Sequence, residues 1–476
     1  MLSSANVSAA KNSCKFCGNN PVPHLIFKIN ESLNILLTPL RQKILYNPLA
    51  RCAIKLGWNT KLANFFLALG ESLKIISRRS SPTLCKVPRA KVLWEEAEKR
   101  GIVMEELLLF GRPFDSYLAE KKNPTSLNLD SSQLRIKDER SGIIFSGLPR
   151  PEGYTNKWLD LMDDKWLFKK VMLKNSLPVP GGESCRGFRQ AKNIFQRIRK
   201  NLQSPISNLQ SNQQTPAPVI VKPRSGSRGR HSTTFVFHEA DLYRAFKIAK
   251  QLCYWVIVEE QLFGPVYRAT VINFELCGVL RGDPPQVAGD GEYNIKELIE
   301  IKNHQPHTGV KDIVIDDSIK RFLERQFFFN VIPTESRFVE SGRVEESFNS
   351  QQKKDPSTSL RFGRDDSIED VFNFIPKTGE LINLSEKIGI SYGGSSSEDF
   401  DICHTDNKEL FVKAAKVLGD PLVGFDFIIP DIARSWQEQK CGFIEVNSLP
   451  FINLHHDPLH GRPRNVAAKV WDLVNF

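Results

Sequence analysis

Two strongly apolar segments near the C-terminus contain side chains that are costly to bury. The segment GFDFIIPDI carries Asp426, and FIEVNSLP carries Glu445 and Asn447 two residues apart. Residues two apart lie on one face of a β-strand, so Glu445 and Asn447 are predicted to project together. Buried carboxylates need an ion-pair partner or a metal, and carboxylate and amide oxygens are ligands of Mg²⁺ or Mn²⁺. The pattern therefore predicts either a structural salt bridge or a metal site.

A lysine at the end of another apolar strand precedes a loop suited to phosphate. Lys222 closes the segment VIVK, and RSGSRGR follows Pro223. Glycines allow the backbone to approach phosphate closely, and arginines neutralise phosphate charge. The candidate loop residues are Ser225, Gly226, Ser227, Arg228 and Gly229. The loop matches neither the P-loop nor the GxGxxG spacing, so taken alone it is more often an ordinary polar turn than a phosphate site.

A further apolar strand, VIVEEQLFG, ends in two carboxylates. Glu259 and Glu260 close the strand, and Leu262 follows shortly before Gly264. A strand end with a carboxylate, exposed backbone groups and a leucine suits a flat apolar ring that has hydrogen-bonding edges. The segment is therefore suited to a ring of that kind.

The order of these motifs is more informative than any single motif. The chain runs through MDDKWLFKKVMLKNSLPVPGG, VIVKPRSGSRGR, VIVEEQLFGPVYR, GFDFIIPDI and FIEVNSLP. This succession resembles the ATP-grasp superfamily. The stretch from about Met162 to Val474 is most similar to the ATP-grasp module of cyanophycin synthetases, and more distantly similar to D-alanine–D-alanine ligases. It covers about two-thirds of the chain.

The resemblance implies ATP and Mg²⁺ (or Mn²⁺) as cofactors and assigns roles to residues. The residues implied to bind ATP are Lys165, Lys222, Ser225, Gly226, Ser227, Arg228, Gly229, Glu259, Glu260 and Leu262. The implied metal ligands are Asp426, Glu445 and Asn447. The resemblance also suggests Arg268 and Arg281 as catalytic arginines that contact phosphate or a substrate carboxylate, because an arginine binds either anion with two parallel hydrogen bonds. It suggests a substrate contact for His455.

The chain departs from the family pattern at two places. Pro265 and Val266 stand where family members carry an acidic residue that holds the ribose. Leu449-Pro450-Phe451 stands where the cyanophycin-type motif has Gly-Pro-Gly, and Asn453 stands in place of an arginine. The family's second, Mur-ligase-like half has no counterpart before Phe476, so synthesis of cyanophycin itself is not expected.

The N-terminal region is distinctly basic. Residues 1–80 contain 11 Lys and Arg against 2 Asp and Glu. The spacing of apolar residues from 24 to 78 predicts two or three amphipathic helices. Such helices could bind an anionic membrane surface or nucleic acid, but helices that dock on the next domain with a solvated basic face explain the same pattern. Cys14 and Cys17 form half of a zinc motif with no second half nearby.

The predicted fold class is α/β, with an ATP-grasp arrangement. We expect a basic helical region at 1–87, a small α/β domain at 88–155, and two α+β lobes at 156–264 and 265–476 that clamp ATP. Residues 341–370 are polar and charged, and are predicted to form a surface insertion.

The predicted function is that of an ATP- and Mg²⁺-dependent carboxylate–amine ligase acting on an amino acid or short peptide through an acyl phosphate. One alternative is a nucleotide-binding protein without ligase turnover. Another is a membrane- or nucleic-acid-associated protein with a regulatory ATP site. The scattered cysteines and the lack of a secretory signal predict a cytoplasmic location. The sequence leaves the oligomeric state open.

Overall fold

The computed structural model describes most of the chain beyond residue 57. The described stretches are 58–80, 87–121, 142–151, 164–202, 218–226, 231–305, 310–331 and 371–475, with single positions 25, 28, 29, 32, 33, 35–37 and 162. The predicted insertion at 341–370 and the Cys14 and Cys17 pair lie outside these residues.

Helices and strands are interspersed along the described chain, in keeping with the α/β prediction. The helices are α1 (Trp58–Ser72), α2 (Pro88–Lys99), α3 (Lys165–Lys174), α4 (Phe188–Leu202), α5 (Glu239–Ala249), α6 (Ile295–Asn303), α7 (Asp317–Val331), α8 (Thr405–Leu418), α9 (Asn453–His456) and α10 (Val466–Leu473). The strands are β1 (Ile76–Arg79), β2 (Ile102–Leu109), β3 (Arg112–Lys121), β4 (Ile143–Ser146), β5 (Gly182–Cys185), β6 (Val219–Pro223), β7 (Thr233–Val236), β8 (Val256–Glu260), β9 (Val266–Ile272), β10 (Glu275–Gly282), β11 (Gln286–Ala288), β12 (Leu381–Asn383), β13 (Ser396–Glu398), β14 (Leu422–Ile428), β15 (Gly442–Asn447) and β16 (His460–Gly461). The mixed α/β fold class is confirmed.

The described residues divide into two compact units. The first unit draws on Met1–Glu31, Gly181–Gln261 and Asp283–Ser395, and the second on Ser32–Pro180, Leu262–Gly282 and Ser396–Phe476. Residues 283–395, which the sequence analysis assigns to the large lobe, therefore cluster with the first unit. The domain boundaries drawn from the sequence remain predictions.

The first unit contains a four-stranded antiparallel sheet in the order β5-β8-β6-β7. Alternate residues of its strands, including Val219, Val221 and Val258, pack with α4 and α5 in one apolar core. Strand side chains alternate between faces, so Lys222 and Glu259 lie on the face away from that core. The unit also holds the β11-β12 pair, which packs with α6 and α7.

The second unit is built on a six-stranded sheet in the order β15-β14-β9-β10-β13-β16. One face is buried against α3 and α8 by a cluster that includes Phe168, Phe411, Phe425, Phe427 and Phe443. These rings meet mostly edge to face, with centroids 4.9–6.4 Å apart. Such packing specifies which residues of each strand face inward, and therefore which face the opposite side.

The opposite face of this sheet has two halves. Toward Leu422 and Ile272 it shares an apolar core with α2, α10 and the separate β1-β2-β3-β4 sheet. Toward Asp426 and Arg268 it carries polar side chains. The apolar half thus fixes the sheet against the helices, while the polar half is available for chemistry.

Capping explains where α3 begins. Asp164 precedes the helix in an extended conformation, and its carboxylate accepts hydrogen bonds from the backbone N–H groups of Trp166 and Leu167. This arrangement satisfies donors that a helix start otherwise leaves unpaired. It places Lys165 at the first helical position.

One alternative function is binding of the N-terminal region to a membrane surface. The helix α1 exposes Phe65, Phe66 and Leu69. In the stretches that the structure describes, no helix has both the length and the apolar character required to cross a bilayer. Binding of residues 1–80 to an anionic surface remains a prediction.

A buried arginine ties the loop after β15 to the sheet. Arg150 Nη2 donates to Asp420 Oδ1 at 3.1 Å and to the Leu422 carbonyl, and Arg150 Nε donates to the Ser448 carbonyl at 3.2 Å. Asp420 is fully buried; burial raises the pKa of its carboxyl group, while the charge of Arg150 opposes the shift. Arg150 therefore stabilises both a buried charge and the chain directly after Asn447.

We expect Arg150→Met to lower the free energy of unfolding by about 3–5 kcal/mol, because it leaves the Asp420 carboxylate buried without a counter-ion. The double variant Arg150→Met with Asp420→Asn should recover much of the loss. Urea unfolding followed by circular dichroism measures both. Equal losses in the single and double variants would contradict the ion-pair explanation.

Candidate active site

A row of polar residues crosses three neighbouring strands of the second unit. Arg268 on β9 is the register partner of Asp426 on β14, and Asp426 is the register partner of Glu445 on β15. Register partners project from the same face of a sheet. The pairing of Gly424 with Asn447 places Asn447 on that face as well. Four residues singled out from the sequence are thus brought together.

The Arg268–Asp426 ion pair is the strongest interaction in this row. Nε donates to Oδ1 at 2.8 Å and Nη2 donates to Oδ2 at 2.9 Å, so the contact is bidentate. Burial by itself would lower the pKa of Arg268, but the charge and hydrogen bonds of Asp426 outweigh burial and raise that pKa. The guanidinium is therefore firmly charged, and its charge is matched by a nearly buried carboxylate.

A second cation lies beside the other carboxylate. Lys165 Nζ is 3.3 Å from Glu445 Oε1, and Asn447 Nδ2 is 3.5 Å from Asp426 Oδ2. The register shifts between Asp426–Glu445 and the next pair, Phe427–Phe443, which leaves one additional residue in β15. Such a bulge re-aims side chains locally, and here it allows Glu445 and Asp426 to share a face while the phenylalanines remain in the core.

The donor set of this row fits a hard divalent cation. Two carboxylates and the Asn447 amide supply oxygen ligands of the kind that Mg²⁺ prefers. Within the described ranges, no group of three or more His, Cys, Asp and Glu side chains is spaced to hold a metal ion. A magnesium site here would consequently depend on the amide oxygen and on oxygens from the ligand. The metal role of these residues remains a prediction.

The second predicted arginine lies elsewhere. Arg281 on β10 pairs in register with Tyr267 and Ser397, whereas Arg268 pairs with Leu280. Arg281 therefore belongs to the sheet face opposite that of Arg268. The structure does not bring the two arginines to one carboxylate.

His455 takes part in a buried polar relay. Its Nδ1 is 2.5 Å from Glu398 Oε2, and its Nε2 is 2.8 Å from Thr270 Oγ1. Glu398 Oε1 also accepts a hydrogen bond from the Val279 backbone N–H at 2.7 Å. His455 is fully buried, so the relay fastens the segment after β15 to β9, β10 and β13. The predicted contact of His455 with substrate remains untested.

The first unit holds the other predicted cluster. Lys222 Nζ lies 2.5 Å from Glu259 Oε1, and both side chains are nearly buried. Gly182 pairs with Glu259 in register, and a Cβ at Gly182 would lie 2.4 Å from the Glu259 Cα. Only glycine permits this approach of β5 to β8. The pair lies on the sheet face opposite the one that α4 and α5 cover.

The remaining nucleotide candidates differ in their surroundings. Ser225 is buried and Gly226 has a φ of 115°, whereas Ser227, Arg228 and Gly229 lie outside the described residues. Leu262, in the second unit, is buried.

Glu260 lies apart from this cluster. It pairs with Val219, and so faces away from Glu259. Its Oε1 accepts from the Gly181 N–H at 2.8 Å, and it lines a cavity of about 240 Å³ with Arg197 and Asn201.

Two residues that sequence reasoning did not assign to the site contact Arg268 or its neighbours. The Arg268 Cζ lies 5.7 Å from the centre of the Phe451 ring, and the Arg89 Cζ lies 4.9 Å from the same centre. Arg89 Nη1 also donates to the Leu449 carbonyl at 3.2 Å. Phe451 was visible as a departure from the Gly-Pro-Gly motif. Nothing in the sequence connected Arg89 to it, because the two residues are far apart in the chain.

The buried cysteines do not offer a ready nucleophile. Burial raises the pKa of Cys403 to about 12 and that of Cys277 to about 11. A thiol with such a pKa is almost entirely protonated near neutral pH and reacts poorly. These thiols are structural in character.

Comparison with known proteins identifies the relatives of this chain. No family model matches. The chain is 28% identical over 316 residues to the "Glutathione biosynthesis bifunctional protein GshAB" of Clostridium perfringens, covering 66% of this chain and 34% of that protein. It is 26% identical over 324 residues to the cyanophycin synthetase of Crocosphaera subtropica, covering 66% and 30%. The chain is thus similar, over about two-thirds of its length, both to a glutathione biosynthesis protein and to cyanophycin synthetases. The predicted resemblance is thereby confirmed.

The chain spans about a third of the length of the curated relatives it matches. Among solved structures, the bifunctional glutathione synthetase from Pasteurella multocida aligns with a TM-score of 0.47 and 21% identity, covering 81% of this chain and 43% of that one.

Gly278 packs closely on His455, so its substitution tests how tightly the relay of His455 is held in this protein. A Cβ at Gly278 would lie 2.4 Å from His455 Nδ1. We expect Gly278→Ala to lower the free energy of unfolding by about 1–3 kcal/mol, because the imidazole must leave its partners. Gly187→Ala, where a Cβ meets nothing within 4 Å, should change it by less than about 0.5 kcal/mol. Thermal unfolding compares the two; an unperturbed Gly278→Ala protein would rule out a tightly held relay.

Proposed function

We propose that this protein is an ATP- and Mg²⁺-dependent carboxylate–amine ligase. The observation that carries the proposal is the convergence of Arg268, Asp426, Glu445, Asn447 and Lys165 on one edge of the six-stranded sheet. These residues come from four separate segments of the chain, and the sequence predicts a nucleotide-binding, metal-binding or catalytic role for each of them. The homology to biosynthetic proteins that are named for glutathione and cyanophycin supports the same reading.

Each candidate side chain has its own role in the proposed reaction. Lys222 would bind ATP phosphate, with Glu259 holding its ammonium group in place. Lys165 would bind a second phosphate oxygen. Asp426 and Glu445, with the Asn447 amide, would hold Mg²⁺, which neutralises phosphate charge.

The proposed chemistry proceeds in two transfers. A carboxylate oxygen of the substrate attacks the γ-phosphorus of ATP, which releases ADP and forms an acyl phosphate. An amine then attacks the acyl carbon, and inorganic phosphate leaves. Arg268 would orient the substrate carboxylate, since a guanidinium presents parallel donors to it. No covalent bond to the protein is needed, in keeping with the protonated state of the buried thiols.

The substrates we propose are an amino acid or a short peptide, and the proposed location is the cytoplasm. The departure at Leu449-Pro450-Phe451 places an aromatic ring beside Arg268, so the acid is expected to differ from those of the relatives.

The decisive experiment supplies ATP, Mg²⁺ and hydroxylamine with a panel of amino acids and dipeptides. We expect one or more acids to stimulate ADP release and to yield a hydroxamate, because hydroxylamine intercepts an acyl phosphate. ADP-free turnover that yields AMP and pyrophosphate would mean adenylation instead. Tight ATP binding with no acid-stimulated ADP would favour a nucleotide-binding protein without ligase turnover.

We expect Lys222→Met to weaken ATP binding by about ten- to a hundredfold, because a charge-assisted contact contributes about 1.5–3 kcal/mol. Pairing it with Glu259→Gln avoids leaving a buried carboxylate without a counter-ion. Lys192→Met is the matched control, since it breaks the exposed Lys192–Glu239 pair of the same unit. Calorimetric titration with ATP reports all three affinities. If the folded double variant binds as tightly as the control, Lys222 does not contact the nucleotide.

A further inference from the structure

Both candidate metal carboxylates are paired with a cation of the protein in this structure. Asp426 is bound in bidentate fashion by Arg268, and Glu445 lies 3.3 Å from Lys165. A divalent ion placed on the same oxygens would face two positive charges within a few ångströms, and like charges at that distance repel strongly where solvent screening is weak. Binding of such an ion therefore competes with the contacts of Arg268 and Lys165.

The guanidinium of Arg268 has a stabilising contact besides Asp426. The Nε and Nη2 groups of Arg268 donate to Asp426, whereas its Nη1 group has no hydrogen-bond partner among the described residues. The guanidinium already lies over the Phe451 ring, with Cζ 5.7 Å from the ring centre, and an aromatic face stabilises a guanidinium. Arg89 lies near the same ring and is held by the Leu449 carbonyl. The ring can thus support Arg268 after it leaves Asp426.

We propose that Arg268 is a counter-ion that the metal displaces, so that metal loading releases the guanidinium to bind the carboxylate of the substrate. This inference rests on the proposed function and deepens it. Without metal, Arg268 neutralises Asp426 and stabilises the empty site. With metal bound, Asp426 becomes a ligand, and Arg268 stands over Phe451 beside Arg89.

Two guanidiniums near one ring define the substrate group that the site accepts. Paired arginines favour a carboxylate over a neutral amide, since both of its oxygens accept charge-assisted hydrogen bonds. The exchange also couples the two binding events. Because linkage is reciprocal, a carboxylate bound to Arg268 must strengthen metal binding by the same factor by which metal strengthens carboxylate binding.

The test measures Mn²⁺ affinity by electron paramagnetic resonance at saturating ADP. Arg268→Gln removes the competing charge, so we expect Mn²⁺ to bind about tenfold more tightly than to the wild type. Arg268→Lys keeps the charge but loses the bidentate contact, and should show a smaller gain. Arg434→Gln is the matched control, because it removes the same charge from the exposed Arg434–Glu438 pair of the same unit. Its Mn²⁺ affinity should not change.

The same variants should respond in the opposite direction in the hydroxamate assay. Arg268→Gln is expected to raise the KM for the acid at least tenfold, since the released guanidinium is the proposed carboxylate ligand. An arginine with only a structural role would not tighten metal binding when removed. Folded Arg268→Gln and Arg268→Lys proteins with unchanged or weaker Mn²⁺ affinity would overturn the inference while leaving the ligase intact. If the wild-type protein neither binds nor releases ADP, both the proposed ligase function and the inference about Arg268 are wrong.

Discussion

The carboxylates of Asp426 and Glu445 lie on adjacent strands of a sheet. Most of the site's geometry follows from the need to neutralise their charges. Ionised carboxylates in a largely desolvated place require cations nearby. Arg268 and Lys165 provide them from β9 and from the first turn of α3. The strand register and the Asp164 cap of α3 bring these cations to the carboxylates. Stability and chemistry therefore depend on the same few charges.

The aromatic layer on the far face of the sheet makes this arrangement possible. Phe425 and Phe427 can face α3 and α8 only if Asp426 faces the other way, because strand side chains alternate. The bulge in β15 lets Phe443 join this layer while Glu445 shares the face of Asp426. The buried Glu398–His455–Thr270 relay and the Arg150 contacts then hold the segment that follows Asn447. Polar networks that are fully hydrogen-bonded rigidify a site. Apolar packing thus selects the face, and buried polar contacts select the position along it.

Particular residues show where sequence reasoning succeeded and where it stopped. The pairing of Glu445 with Asn447 on one face followed from their spacing, and Lys222 at a strand end was visible from its apolar neighbours. Arg281 was grouped with Arg268, yet register places the two on opposite faces. Glu260 was grouped with Glu259 and likewise faces away from it. One residue of offset reverses a side chain, and offsets between strands are set by packing that no single segment contains.

The sequence by itself determined the α/β class, the order of the nucleotide and metal motifs, and the relationship to cyanophycin synthetases. Local rules suffice for these, because strand periodicity, helix capping and motif order are properties of contiguous residues. Only the tertiary structure decided which partners the charges have. The Arg268–Asp426 bond, the contact of Arg89 with Phe451, and the burial of His455 each join residues that lie far apart in the chain. Their meeting depends on the packing of whole sheets and helices, a long-range property that local sequence patterns do not encode.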